Sequence, residues 1–294
     1  MAREAMNRFV QRRLTWLDAR AGELDARGEH HRSCESREEL CAQIRQNLGE
    51  DHPWFAENLL RLAASYRAVG QIKAADQTLR RAIRCLEREG LEEEVKFWDP
   101  ESKFPGQGHD RRAELAQALN TLGVLCCEQN RPDQALRLLH RALALSQRIL
   151  DHGDLRLATL HNNLGSAYHT LEDLELARGH YLEALRKLDL AGAALERAYC
   201  LCDLAELLID LDDPTALSHA GEALGLFRRL QASDPPALAQ SLMRVAGLFS
   251  RQDGPEMAIE LLEEAVDLLR DDPEQQHRLA QCLDLLGHLR MGHA

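Results

Sequence analysis

Aromatic residues are scarce in this sequence of 294 residues, of which phenylalanine, tyrosine and tryptophan together make up 4%. Long hydrophobic runs are lacking as well: a membrane helix needs about 18 consecutive apolar residues, and no stretch approaches that length. Basic residues are outnumbered by acidic ones, and the net charge is −12. Because phosphate binding requires clustered lysine and arginine, this balance disfavours a nucleic-acid partner. We expect a soluble protein with neither a membrane nor a nucleic acid as its partner.

Motifs that accompany catalysis are also absent. The sequence has no CxxC pair and no GxxxxGK[ST], GxSxG or HExxH motif, so we expect no enzymatic activity and no cofactor. Most of the eight cysteines lie inside apolar helical patterns, which is typical of free thiols in a reducing cytoplasm. The N-terminal segment has no signal-peptide core, which also favours a cytoplasmic location. His30, His31, Cys34 and Cys41 match no zinc-finger spacing, so we expect no metal site there.

Six stretches of the chain share one pattern. Each begins with an alanine: Ala56, Ala116, Ala158, Ala198, Ala239 and Ala280. The eighth position of each copy is a glycine or an alanine: Ala63, Gly123, Gly165, Ala205, Ala246 and Gly287. Four copies also carry two alanines seven residues apart: Ala75 and Ala82, Ala135 and Ala142, Ala177 and Ala184, Ala258 and Ala265. Apolar residues at intervals of three and four form one helical stripe. Each copy therefore predicts two antiparallel helices that touch through small residues, and neighbouring pairs must stack to bury their apolar faces.

This pattern resembles the tetratricopeptide repeat. Apart from one longer interval between Ala63 and Gly123, successive eighth positions repeat every ~40 to ~42 residues, whereas the common form repeats every ~34 residues. The longer spacing, with "LGEDHPWFAENL" and "NNLGSAY", is similar to the repeats of kinesin light chains and their bacterial relatives, in which a Gly-x-x-His-Pro turn follows longer helices. That turn is present at Gly49 to Pro53 and, degraded, in "LDHGDLRLA". The resemblance implies an all-α fold: a right-handed solenoid of about six helix pairs with a C-terminal capping helix.

We expect one solenoid domain over residues 1–294. Its predicted parts are a degenerate first repeat or N-terminal cap (1–53), repeats at 54–89, 112–153, 154–191, 192–233 and 234–272, an aromatic insertion loop (90–111) and a capping helix (273–294). Within the first part, residues 37–48 resemble the second helix of a repeat, and residues 3–27 are predicted to be its first helix or a cap.

The insertion loop accounts for the longer interval between Ala63 and Gly123. It contains Phe97, Trp98 and Phe104, three of only 13 aromatic residues in the sequence. Burying three such side chains stabilises a protein by roughly 5–9 kcal/mol, which is comparable to the net stability of a whole domain, so we expect them to pack. Two alternatives stay open. The rings either cover the widened seam between two repeats, or they form a flap or an anchor for a partner.

In tetratricopeptide proteins the first helix of each pair lines a concave groove. The resemblance therefore implies that positions two, five, nine, twelve and thirteen of each copy face a ligand. The predicted groove residues are Arg67, Asn120, Val124, Glu128, Asn162, Ser166, His169, Tyr199, Glu206, Asp210, Met243 and Arg251. Asn120 and Asn162 share the fifth position, where family members bond a peptide backbone through an amide that both donates and accepts. The alternative, that both are consensus residues serving the fold, stays open.

The charges at the predicted groove indicate a weak preference. Glu128, Glu206 and Asp210 form an acidic edge that favours a basic or neutral segment, with Arg67 and Arg251 as isolated counter-charges. The sequence thus predicts a non-catalytic scaffold or adaptor that binds a partner peptide or protein, and the resemblance to bacterial relatives implies a link to signalling or defence effectors. Two alternatives are a peptide-responsive sensor and a permanent structural subunit of a larger complex.

Overall fold

The computed structural model describes residues 2–87, 111–252 and 255–292, and side chains from residue 9 to residue 291 within these ranges. The described α-helices are α1 (Ala2–Ala26), α2 (His30–Asn47), α3 (Pro53–Ala68), α4 (Ile72–Glu87), α5 (Arg111–Glu128), α6 (Pro132–Ile149), α7 (Leu155–Thr170), α8 (Leu174–Ala191), α9 (Ala194–Asp210), α10 (Ala216–Leu230), α11 (Pro235–Arg251), α12 (Pro255–Leu269) and α13 (Gln276–Gly292). The described ranges contain no β-strand, so the predicted all-α fold class is confirmed. Phe97, Trp98 and Phe104 lie outside the described residues.

The helices pack as consecutive pairs, α1 with α2 through α11 with α12, and α13 packs on α12. Short turns join the members of a pair, which makes them antiparallel neighbours. We call the first helix of each pair its A helix and the second its B helix. The pairs group into two compact units, Met1–Leu150 with α1–α6 and Asp151–Ala294 with α7–α13. The single domain over residues 1–294 stays a prediction.

The small residue at the eighth position marks the point where the A and B helices of a pair touch. A Cβ atom on Gly123 would lie 2.7 Å from Cγ of Leu139, and one on Gly165 would lie 2.7 Å from Cδ1 of Tyr181. In three other copies the position is a buried alanine: Ala63, Ala205 and Ala246. These distances confirm the predicted close approach. Gly287 differs, because no atom lies within 4 Å of its Cβ position.

The alanines spaced seven residues apart lie on the face of each B helix that packs against its A helix. All eight are fully buried: Ala75, Ala82, Ala135, Ala142, Ala177, Ala184, Ala258 and Ala265. Small side chains on both helices let the backbones approach closely, so the larger residues around them interdigitate at the density of a protein interior. The core of each unit is built in this way.

The turns between A and B helices share one backbone feature. The fifteenth residue of four copies has a positive φ: Gly70 (74°), Asn130 (54°), Glu172 (60°) and Asp212 (54°). This left-handed conformation costs about 1–2 kcal/mol for residues with a side chain, whereas glycine adopts it freely. Gly70 is therefore the only one of the four residues that reverses the chain without strain.

The Gly-x-x-His-Pro sequence forms the entry to α3. Gly49 has a φ of 94°, and Nδ1 of His52 accepts a hydrogen bond from the backbone N–H of Trp54 at 3.2 Å. Pro53 occupies the first position of the helix, where its missing N–H and fixed φ are favourable. In the degraded turn before α7 the cap is Asp154, whose Oδ1 accepts from the backbone N–H of Arg156 at 2.9 Å.

Helices α1 and α2 form a pair, and α1 (Ala2–Ala26) coincides with the first helix or cap predicted over residues 3–27. Ala21 is fully buried and lies one repeat length before Ala63, at the eighth position of a further copy. The B helix of this copy begins at His30, seven residues before the predicted start. Ser33, which lies one repeat length before Ala75, takes the place of the first small residue. Arg37 is buried in this helix and donates to Oδ2 of Asp25 at 2.6 Å.

Candidate functional site

All twelve predicted groove residues lie on A helices. They are Arg67 on α3, Asn120, Val124 and Glu128 on α5, Asn162, Ser166 and His169 on α7, Tyr199, Glu206 and Asp210 on α9, and Met243 and Arg251 on α11. The structure brings several of them into contact within each unit. Their role in binding a partner stays a prediction.

A row of charged side chains joins three A helices of the second unit. Nε2 of His169 lies 2.6 Å from Oδ2 of Asp210, and Arg251 donates to the other oxygen of the same carboxylate. Nη1 of Arg251 also lies 3.4 Å from Oε1 of Glu206. Burial by itself would raise the pKa of Asp210, but the hydrogen bonds from His169 and Arg251 hold that pKa below its usual value. The four side chains therefore restrain one another.

A second row in the same unit contains residues that the sequence analysis missed. Nδ2 of Asn162 donates to Oδ2 of Asp203 at 2.8 Å, and Arg244 donates to Oδ1 of Asp203. Oδ1 of Asn162 is buried and has no hydrogen-bond partner among the described atoms. Asp203 and Arg244 both occupy the sixth position of their copies, so opposite charges at one position of successive copies were the signal that could have revealed the pair.

In the first unit one ion pair links the A helices α3 and α5. Nη2 of Arg67 lies 2.6 Å from Oε1 of Glu128. Together with the rows of the second unit, this contact shows that the predicted isolation of Arg67 and Arg251 is wrong, because each already pairs with an acid. Exposed ion pairs contribute little free energy, but they do neutralise the acidic edge on which the predicted preference for a basic segment was based.

Four further predicted groove residues, which take no part in the ion pairs and rows above, are partly covered by the protein. Tyr199 is 38% exposed, but its ring packs on Phe227 of α10, with ring centres 5.0 Å apart, and its hydroxyl accepts from Nε2 of Gln231 at 3.3 Å. The other three are half-buried: Val124, Ser166 and Met243. Because each of these side chains is partly covered, each offers a partner a reduced area.

Two histidines meet inside the α7–α8 pair. Nδ1 of His161 lies 3.0 Å from Nδ1 of His180, and the Tyr168 ring stacks on His180 with centres 5.4 Å apart. Burial, assisted by the proximity of His180, lowers the pKa of His161 to about 4. His161 replaces the leucine that other copies have at the fourth position, and the structure places it within the core.

Seven of the eight cysteines are buried in the helices that carry them, and Cys127 is half-buried. Burial raises the pKa of Cys34, and raises that of Cys41 to about 12. Across residues 2–87, 111–252 and 255–292, no three histidine, cysteine, aspartate or glutamate side chains come together as metal ligands. None of the helices in these ranges has the length and apolar character needed to cross a bilayer.

Stacked helix pairs with small residues at their contacts are the feature that this chain shares with tetratricopeptide repeat proteins. Residues 114–189 match the tetratricopeptide repeat family model, so the predicted resemblance is confirmed for a stretch that runs from α5 into α8. Among curated proteins the chain is similar to the kinesin light chain-related protein 3 of Arabidopsis thaliana, with 25% identity over 228 residues. This alignment covers 75% of the chain, which spans about a third (31%) of the relative's length.

Two solved structures share the fold. BtubC (BKLC) from P. vanneervenii superposes with a TM-score of 0.58 and 19% identity, covering 86% of this chain and 90% of that one. The apo form of RapI superposes with a TM-score of 0.64 and 14% identity, covering 95% and 97% of the two chains. At these identities the similarity shows the tetratricopeptide solenoid fold, which confirms the predicted architecture, and nothing about ligands.

Proposed function

We propose that this chain is a non-catalytic protein-interaction scaffold whose A helices bind a partner polypeptide. The observation that carries the proposal is the row formed by His169, Asp210, Arg251 and Glu206, which restrains four side chains on three successive A helices. Side chains that are already held in place lose little conformational entropy when a partner binds. A row of restrained side chains on a solenoid surface is therefore suited to binding a partner polypeptide.

The contacts of Asn162 define how a peptide backbone would be held. Its Nδ2 donates one hydrogen bond to Asp203, which leaves the second N–H of the amide for a partner, while its Oδ1 is buried. A buried acceptor without a donor costs about 1–3 kcal/mol, and a rotation of the side chain that exposed Oδ1 to a peptide N–H would remove that cost. Since the acidic side chains are already paired, apolar contacts and backbone hydrogen bonds contribute more to affinity than net charge does.

The proposal is tested with the partner that co-purifies from the native host. Asn120→Ala and Asn162→Ala probe the two units separately, and Asn47→Ala is the matched control, because Asn47 bonds only within its own B helix. We expect the double variant to lose at least about tenfold in affinity by calorimetry, with helicity unchanged by circular dichroism. Unchanged affinity in a folded double variant would refute this mode of binding.

The cysteines support a location for this activity. All eight are free thiols, and seven of them are buried. Free buried thiols are usual in reducing compartments, so we place the protein in the cytoplasm. Thiol counting on freshly lysed cells tests this placement, since disulfide-linked cysteines would contradict it.

A further inference from the structure

A cleft of about 620 Å³ lies in the first unit between the B helices α2 and α4, with the A helix α3 as its floor. The floor includes the buried side chains of Phe55 and Leu59. Arginines line the walls: Arg45 from α2, and Arg81 and Arg84 from α4. The volume is typical of sites that hold a small ligand or a few side chains. In a chain with a net charge of −12, three arginines in one cleft form an unusual concentration of positive charge.

Acidic side chains at the cleft are already engaged. Glu38 is the one acid among the described residues of the lining, and its Oε1 accepts from the hydroxyl of Tyr66 at 2.7 Å. Oε1 of Glu50 lies 2.5 Å from Nη2 of Arg81. The guanidinium of Arg81 also lies 4.9 Å from the centre of the Phe55 ring. Arg45 and Arg84 add two further positive charges, and guanidinium groups cannot neutralise each other.

Comparison with the neighbouring repeats shows what the cleft lacks. Arg45 lies twelve residues after Ser33, the first small residue of α2, and Arg81 lies six residues after Ala75, the first small residue of α4. We call these the twelfth and sixth positions of a B helix. We call two B helices that follow one another in the stack a couple. In the couple of α4 and α6, the same two positions hold Glu87 and Arg141, which form an ion pair at 2.5 Å.

The second unit shows the same charge balance. The twelfth position of α10 and the sixth of α12 hold Arg228 and Glu264, which pair at 2.5 Å. For α8 and α10 both positions are acidic, Asp189 and Glu222, and the side chain of Arg197 bridges them with two contacts of 2.6 Å. In the couple of α8 and α10, an arginine thus joins the two like charges.

We infer that the cleft between α2 and α4 binds an acidic segment of a partner polypeptide. A carboxylate of the segment pairs with Arg45 and Arg84, and a neighbouring apolar side chain packs against the floor at the half-buried ring of Tyr66. Carboxylate is the expected ligand, because an arginine and a carboxylate occupy the equivalent positions of two other couples, α4–α6 and α10–α12, and form short, charge-assisted bonds. The inference goes beyond the proposed function, since the site lies on B helices, and rests on it only in that the ligand is a polypeptide.

The test uses the full chain and a fluorescein-labelled peptide of alternating glutamate, leucine and phenylalanine, read by fluorescence anisotropy. The control peptide carries glutamine in place of glutamate. We expect the glutamate peptide to bind at least about tenfold more tightly than the glutamine peptide, with an affinity that falls as sodium chloride is raised. Equal binding of the two peptides would overturn the inference.

Three variants locate the site. Arg45→Glu recreates the Glu–Arg couple of α4 and α6, so we expect it to keep or raise the melting temperature while lowering peptide affinity at least about tenfold. Arg45→Gln and Arg84→Gln reduce affinity without introducing a charge, and they keep the test valid should Arg45→Glu misfold. Arg141→Gln removes an arginine at the sixth position of α6, outside the cleft, and serves as the matched control with unchanged affinity. Wild-type affinity in the Arg45 variants would overturn the inference.

Two further arms identify the occupant. If free glutamate or inorganic phosphate displaces the peptide at concentrations near the dissociation constant of the peptide, the ligand is a small anion and the polypeptide assignment fails. If replacing Glu92, Glu93 and Glu94 by glutamine strengthens binding, the chain's own acidic segment fills the cleft, which also overturns the assignment. The double variant Asn120→Ala/Asn162→Ala should bind the peptide like wild type, so failure of the A-helix proposal is distinguishable from failure of this one.

Discussion

Gly165 of α7 and Tyr181 of α8 are in direct contact, since a Cβ atom on the glycine would lie 2.7 Å from both Cδ1 and Cε1 of the ring. The ring is buried and cannot move without displacing its neighbours. We expect Gly165→Ala to lower the free energy of unfolding by about 1–3 kcal/mol, because the methyl group overpacks the contact.

Urea unfolding measures this effect, and Gly179→Ala is the control. Gly179 lies on the same helix as Tyr181, with nothing within 4 Å of its Cβ position. Alanine there should raise stability by about 0.5–1 kcal/mol, because it restricts the unfolded chain and favours helix. A Gly165→Ala variant as stable as wild type would mean that the α7–α8 pair tolerates a wider separation.

The positive φ of Glu172 predicts a stabilising substitution. Its backbone has a φ of 60°, and the side chain is exposed. We expect Glu172→Gly to raise the free energy of unfolding by about 0.5–1 kcal/mol, because glycine adopts this conformation without steric cost. The same change at Glu175, in the first turn of α8, should instead lower stability by about 1 kcal/mol. Thermal melts of the two variants should therefore move in opposite directions.

Burial of His161 predicts a dependence of stability on pH. Its pKa is about 4 in the folded chain, against 6.5 for an unperturbed histidine. Between these values the unfolded chain binds a proton that the folded chain does not, so stability falls as the pH drops from about 6.5 to about 4. The total loss from this group is up to about 3 kcal/mol.

His161→Leu restores the residue found at the fourth position of other copies, and we expect it to flatten that part of the pH profile. Urea unfolding at pH 7, 6, 5 and 4.5 provides the measurement. His31→Gln, at an exposed position of α2, is the control and should leave the slope unchanged. If wild type and His161→Leu showed the same slope, another group would have to account for the acid sensitivity.

Asp203 predicts a measurable coupling between α9 and α11. Its side chain is 20% exposed and pairs with Arg244, whereas the Asp267–Arg270 pair of α12 is 65–69% exposed. A double-mutant cycle to alanine should give a coupling free energy of about 1 kcal/mol for Asp203 and Arg244, and a few tenths for the exposed pair, because water screens the latter. Equal coupling free energies would contradict the prediction that the less exposed Asp203–Arg244 pair stabilises the protein more than the exposed pair does.

The helix pairs were predictable because their signals are local. Spacings of three and four residues define each helical stripe, and a glycine or alanine at the eighth position indicates the contact with the next helix. The copy containing Ala21 was predictable only as a degenerate repeat or a cap, because its seventh position is Arg20, which is exposed. Its first position is Leu14, where the other copies have alanine.

The candidate site was predictable only in outline. The periodic pattern placed the twelve residues on A helices, but it could not show which of them meet. Arg67 and Glu128 lie 61 residues apart, so their pairing depends on how neighbouring helices are offset and not on either repeat alone. For the same reason Asp203 and Arg244 were overlooked, and the cleft beside Arg45 could be recognised only after couples of B helices were compared.

The ion pairs between B helices have a consequence for rearranging this protein. In the couple of α4 and α6 the acid, Glu87, comes first and Arg141 second. In the couple of α10 and α12 the order is reversed, because Arg228 comes first and Glu264 second. Transplanting the α3–α4 hairpin to follow α10 would set Arg81 opposite Arg228, and moving α12 behind α4 would set two glutamates together. The hairpins are therefore not interchangeable, because the charges on their B helices form ion pairs only in the native order of the hairpins.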